Sequence, residues 1–134
     1  MTVLFDNPKY NCNVENIART CDFFGIPFYV TNTQRIKPKI SGGVLKDRPL
    51  KILNPGNWSG RIIVTSDKAV RPFDSIEIKP DDLWVFGNET NGVSTEIWWM
   101  ADAVVGIKSQ GIVPCLNVSN AVAFIIGYNL QRRE

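Results

Sequence analysis

Short runs of consecutive apolar residues alternate along the chain with stretches where apolar residues recur every three or four positions. The first kind predicts strands at residues 3–5, 28–30, 62–65, 75–78, 83–86 and 103–107. Several of these runs are continuously apolar and β-branched, as in strands covered on both faces. The second kind predicts helices near residues 13–24, 94–100 and 117–132. Strand–helix alternation of this sort predicts an α/β domain with a mainly parallel sheet.

The helices differ in character. In the first, Val14, Ile17, Ala18, Cys21 and Phe24 share one face, which makes it amphipathic. Asn13 is a candidate N-cap, since its side chain can accept the free N–H groups of a first turn. Asn13, Asn16 and Arg19, spaced by three, are expected along the edge of the buried face. Gly25-Ile26-Pro27 should end the helix. In the last helix, Val118 and the run from Ala121 to Ile126 cover nearly the whole circumference. Such a helix must be buried on more than one side, which suggests a second subunit in addition to its own sheet. Residues 31–60 are rich in Pro, Gly, Asn and Lys without periodicity, and so long an irregular connection is usually functional.

Composition narrows the picture. A chain of 134 residues, 44% hydrophobic and 21% charged, suits one domain spanning residues 1–134. The longest apolar run, residues 121–126, is far too short to span a membrane, and residues 1–8 do not form a signal peptide. The net charge of +2 is weak evidence for a polyanionic partner. Its distribution says more: Arg35, Lys37, Lys39, Lys46, Arg48 and Lys51 cluster with a single acid, Asp47. That stretch either gathers phosphates or is a solvated loop. Cys12, Cys21 and Cys115 fall at no metal-ligand spacing and read as free thiols of a reducing, cytoplasmic compartment. The absence of histidine removes the commonest general base and any His-ligated metal site.

Three segments carry candidate chemistry. The first runs from Asn7-Pro8 through Asn13-Val14-Glu15-Asn16-Ile17-Ala18-Arg19-Thr20. The second is Phe86-Gly87-Asn88-Glu89-Thr90-Asn91-Gly92-Val93-Ser94, and the third is Cys115-Leu116-Asn117-Val118-Ser119-Asn120-Ala121. Glycines at positions 87 and 92, between an apolar strand and a helix, let a turn form and a ligand approach the backbone. Their spacing also mimics the start of a phosphate-binding loop, but Val93 stands where that motif needs Lys then Ser or Thr, which argues against a nucleoside triphosphatase.

In this order and spacing the three segments resemble the motifs of the SpoU (TrmH-like) family of RNA methyltransferases, from Leu4 to about Arg132. The resemblance implies helices on both faces of the sheet, a deep C-terminal trefoil knot, and a homodimer with the active site at the interface. It implies transfer of a methyl group from S-adenosylmethionine to a ribose 2′-hydroxyl of tRNA or rRNA. Cofactor contacts are then expected at Thr65, Gly87, Ile107, Cys115 and Leu116, and the catalytic set at Arg19, Asn13, Glu89 and Asn117. Arg19 either deprotonates the hydroxyl or clamps the neighbouring phosphate. A guanidinium stays protonated at any ordinary pH, which disfavours the first role, and its planar fork favours the second. Glu89 is expected to brace the first segment against the second by accepting from the Asn13 amide or from backbone N–H groups. Asn117 or Ser119 should cap the last helix, with Asn117 near the arginine.

The chain departs from the family in several places. Cys115 stands where serine is usual, Ile107-Lys108-Ser109 replaces Ile-Pro-Met, and Glu15 replaces a small residue. Trp98 and Trp99 are adjacent and cannot both face one core: one would stack on RNA or an interface, or both would form half-buried edges. Two alternatives remain open: a cofactor- or RNA-binding family member without useful activity, and a nucleotide-binding regulatory module built on residues 87–92.

Overall fold

Five strands are laid side by side in the order β2-β1-β4-β3-β5, every neighbouring pair parallel. They are β1 (Thr2–Phe5), β2 (Phe28–Val30), β3 (Ile62–Thr65), β4 (Leu83–Phe86) and β5 (Ala103–Val105). The helices are α1 (Asn11–Phe23), the short α2 (Val44–Asp47), α3 (Thr95–Met100) and α4 (Val118–Arg132). This computed structural model describes residues 1–36 and 44–132. Lys37 and Lys39 of the basic stretch therefore lie outside the described residues.

The alternation of side chains across the pleat builds two cores. Val3, Phe5, Ile63, Trp84 and Phe86 point to one face, where Val14, Ile17 and Cys21 of α1 and Val122, Ile125 and Ile126 of α4 meet them. Leu4, Ile62, Val64, Leu83 and Val85 point to the other, covered by Ile97 of α3 with Leu53 and Trp58. The central strands β1 and β4 are wholly buried, as their unbroken apolar sequences require. Burial pushes the Cys21 thiol up to about 12, so Cys21 acts as a small core hydrophobe.

Several expectations change in detail. Residues 75–78 form no strand: Phe73–Ser75 is a 3-10 turn, and Ile76 and Ile78 pack into the first core without a ladder partner. Their alternation recorded burial only. The fifth strand stops at Val105, and Gly106 instead makes an isolated bridge to Pro72. The first helix starts at Asn11 after Tyr10, so Asn13 is in its first turn and is not its cap. The expected stop is present. Gly25 lies at φ 67°, its N–H donates to Asp22 O, and the Ile26 N–H donates to Cys21 O, the Schellman pairing.

A buried carboxylate ties the start of β4 to β3. Asp82 is 1% exposed and accepts from Arg61 Nε at 2.8 Å and Nη2 at 2.7 Å, from the Lys79 N–H at 2.8 Å and from the Trp84 indole at 3.3 Å. Burial alone would raise its pKa, but Arg61, the Lys79 amide and the Trp84 indole together hold it below the ordinary carboxylate value. Because the folded-state value is the lower one, this stabilisation is present above about pH 4 and is lost as pH falls through the folded value. Asp82→Asn should cost about 2–3 kcal/mol near neutral pH, since it leaves Arg61 without its bidentate partner. Urea midpoints recorded from pH 7 to pH 2.5 should converge for the two proteins at the acid end.

Candidate active site

β4 delivers the chain into a turn closed by its own backbone. The Asn88 N–H donates to Gly92 O at 3.3 Å and the Gly92 N–H returns to Asn88 O at 3.2 Å. Between them the Asn88 side-chain oxygen accepts from the Thr90 N–H at 2.9 Å and the Asn91 N–H at 2.7 Å. Gly92 lies at φ 72°, a region that L side chains rarely adopt. Gly87 is packed against the far end of the turn: a Cβ there would stand 2.2 Å from the Gly92 carbonyl carbon. Both glycines are thus required by the geometry. Asn88, 6% exposed, is a structural member of the site that the sequence reading passed over. An Asn heading a tight polar turn was the available signal.

This turn forms one wall of a cleft of about 630 Å³, at the C-terminal ends of β3, β4 and β5. Thr65, Gly87, Ile107, Cys115 and Leu116 all line it, as do Glu89 and Asn117. The carboxyl ends of a parallel sheet are where open α/β folds bind ligands, and the size suits a nucleoside-sized molecule. The Thr65 hydroxyl donates to Val85 O at 3.0 Å, so it offers a ligand its acceptor lone pairs. Trp98 also lines the cleft, half-exposed, while Trp99 is 83% exposed on the outer face of α3. A second cavity of about 340 Å³ lies between the C-terminal end of α1 and residues 45–51, and none of the expected site residues lines it.

The start of α4 meets the start of α1 at the cleft. Asn117 caps α4: its Oδ1 accepts from the Ser119 N–H at 2.9 Å and the Asn120 N–H at 3.4 Å. Its Nδ2 donates to Asn13 Oδ1 at 3.3 Å. That bond ties the first turn of α1, where Asn13 is buried, to the cap of α4. Two of the expected catalytic residues are therefore in contact.

The other two make no such contact. Glu89 has both carboxylate oxygens buried and no hydrogen-bond donor for either among the described residues, so the expected brace to Asn13 is not formed. Arg19 is exposed, does not line the cleft, and its side chain makes no hydrogen bond or ion pair among the described residues. Steps of three drift by 60° each around a helix, so Asn13 faces inward while Asn16 and Arg19 reach solvent. Lys68 lines the cleft, whereas Arg19, the expected catalytic cation, stands outside it.

A five-stranded parallel sheet with helices on both faces and a nucleoside-sized cleft at its carboxyl end defines a ligand-binding α/β protein. Residues 50–127 match the SpoU rRNA Methylase family, and the chain belongs to that family. The tRNA (guanosine(18)-2′-O)-methyltransferase of Aquifex aeolicus is 32% identical over 149 residues, covering 100% of this chain and 70% of that protein. The crystal structure of the A. aeolicus TrmH/SpoU tRNA modifying enzyme superposes with a TM-score of 0.80 at 32% identity, covering 98% of this chain and 74% of the other. The SpoU methyltransferase AviRb of Streptomyces viridochromogenes, solved with its cofactor AdoMet, shares the fold at TM-score 0.77 and 22% identity, covering 99% of this chain and 57% of that one.

Proposed function

We propose that this protein transfers a methyl group from S-adenosylmethionine to a ribose 2′-hydroxyl of tRNA or rRNA. The observation that carries the reading is the convergence of residues 87–92 and 115–117 on one cleft at the sheet's carboxyl end, in a chain of the SpoU family. Thr65, Gly87, Ile107, Cys115 and Leu116 would hold the cofactor, with backbone groups of the turns on the adenine edge and Ile107 and Leu116 on its faces. A cleft whose buried acid lacks a donor suits a cofactor that carries a positive charge. When bound, the sulfonium supplies an electrophilic methyl group. The chain must then hold the ribose oxygen in line and manage one proton.

In this reading residues 1–134 form a single methyltransferase domain, with a deep trefoil knot at its C-terminal part, and the protein works in the cytoplasm as a homodimer. Two exposures support the dimer. Phe124 is 48% and Leu130 38% exposed on α4, so the apolar circumference of that helix is only half covered by its own chain. Arg19 is exposed and does not line the cleft of its own chain, where Glu89 lacks a donor among the described residues. Arg19 of the partner subunit would complete the catalytic set of Asn13, Glu89 and Asn117, gripping the phosphate beside the target ribose. The exposed Arg35, Lys46 and Lys51 offer further phosphate contacts.

The test has two parts. Calorimetric titration should detect S-adenosylhomocysteine binding, and incubation of RNA with the protein and S-adenosylmethionine should yield 2′-O-methylated nucleosides by mass spectrometry. Absence of binding refutes the reading. Binding without any methyl transfer would point instead to a cofactor- or RNA-binding family member.

A further inference from the structure

We infer that Asp6 is a positioning residue for the cofactor cleft, which it serves by clamping both ends of the turn that forms its wall. The inference rests on the proposed function for the identity of the ligand and on geometry for everything else. Asp6 follows β1, is 3% exposed and does not line the cleft. Its N–H donates to Phe86 O at 2.8 Å, immediately before Gly87. Its Oδ2 accepts from the Ser94 N–H at 2.7 Å, immediately after Val93. Everything between those two anchors, residues 87–93, faces the cleft. One residue of a neighbouring strand therefore sets the span across which the ligand wall is hung.

The other oxygen fixes Asp6 itself. Oδ1 accepts from the Thr31 hydroxyl at 2.8 Å, and Thr31 Oγ1 in turn accepts from the Asn7 N–H at 2.7 Å. The carboxylate is thus held at the ends of β1 and β2 while it holds the turn after β4. A buried acid with a neutral O–H on one side and a backbone N–H on the other has no ion pair to explain it among the described residues. Its chemistry is that of an oriented acceptor, and a preorganised binding wall needs such support from behind.

Ser94 allows the clamp to be cut without touching Asp6. Its side chain makes no capping bond, and its φ of −61° and ψ of 151° are those of proline. Ser94→Pro removes the donor and sets its Cδ against Asp6 Oδ2, so the turn is released from the carboxylate on both counts. Calorimetry with S-adenosylhomocysteine on the wild type comes first, since failure there refutes the proposed function and not this inference. Given wild-type binding, Ser94→Pro and Asp6→Ala should weaken it about tenfold or more. The KM for S-adenosylmethionine should rise in step, with kcat at saturating cofactor within about threefold of wild type. Asp6→Asn keeps an acceptor oxygen for the Ser94 N–H and should recover most of the affinity. If Asp6→Ala does not fold, Ser94→Pro carries the test alone. Folded Ser94→Pro protein with wild-type affinity overturns the inference, as does Asp6→Asn binding no better than a folded Asp6→Ala.

Discussion

Gly87→Ala should abolish measurable S-adenosylhomocysteine binding, a loss of about a hundredfold or more, and destabilise the fold by about 1–3 kcal/mol. The added Cβ would meet the Gly92 carbonyl carbon at 2.2 Å, the Val93 nitrogen at 2.3 Å and the Gly92 Cα at 2.5 Å. All three are backbone atoms, so no rotamer change relieves the contact. The turn would have to open, and its two-way bond between Asn88 and Gly92 and the Asn88 side-chain caps would go with it. Those are the bonds that aim the turn at the cleft. Gly111→Ala is the matched control. It lies on the exposed segment before Cys115, and an added Cβ there meets nothing within 4 Å. Its stability should stay within about 0.5 kcal/mol of wild type. Denaturant melts and calorimetry on the two variants separate a closed turn from a merely flexible one.

The parts of this molecule that could be read in the sequence are those written as a local period. The strands at residues 28–30, 62–65 and 83–86 and the last helix fall where the apolar pattern puts them. The cleft wall was legible because its two glycines bracket a strand-to-helix turn. Where reading failed, the deciding partner was distant in sequence. Asn13 looks like a cap, but the helix begins two residues earlier and its oxygen meets Asn117, far along the chain. Residues 75–78 look like a strand, yet Ile76 and Ile78 are held by the core packed against them and join no ladder. Asp6 was passed over for the same reason. A single acid after a strand has no spacing to announce it, and its role exists only once β2 and the turn after β4 are beside it. Glu89 shows the converse: the sequence suggested a bond that the fold does not make.

Arg19→Ala should lower methyl transfer by about a hundredfold to ten-thousandfold while leaving S-adenosylhomocysteine affinity and stability near wild type. The separation follows from its placement. Arg19 lines no part of the cleft and its side chain makes no bond among the described residues, so its removal takes nothing from the cofactor wall or the cores. What is lost is the planar fork that would orient the phosphate next to the reacting ribose. Arg19→Lys keeps the charge without the fork and should recover only a small part of the rate. The same residue decides between one chain and two. If Arg19 serves the cleft of its own subunit, a mixture of Arg19→Ala and Gly87→Ala proteins stays inactive, since neither chain carries both parts. If it reaches across a two-fold interface, each mixed dimer regains one complete site, built from the intact cleft of one chain and the intact arginine of the other. Statistical co-assembly of the two inactive variants should then restore about a quarter of wild-type activity. A methyl-transfer assay on co-expressed chains reads that directly, and the exposed position of Arg19 outside a cleft whose acid lacks a donor makes restoration the expected result.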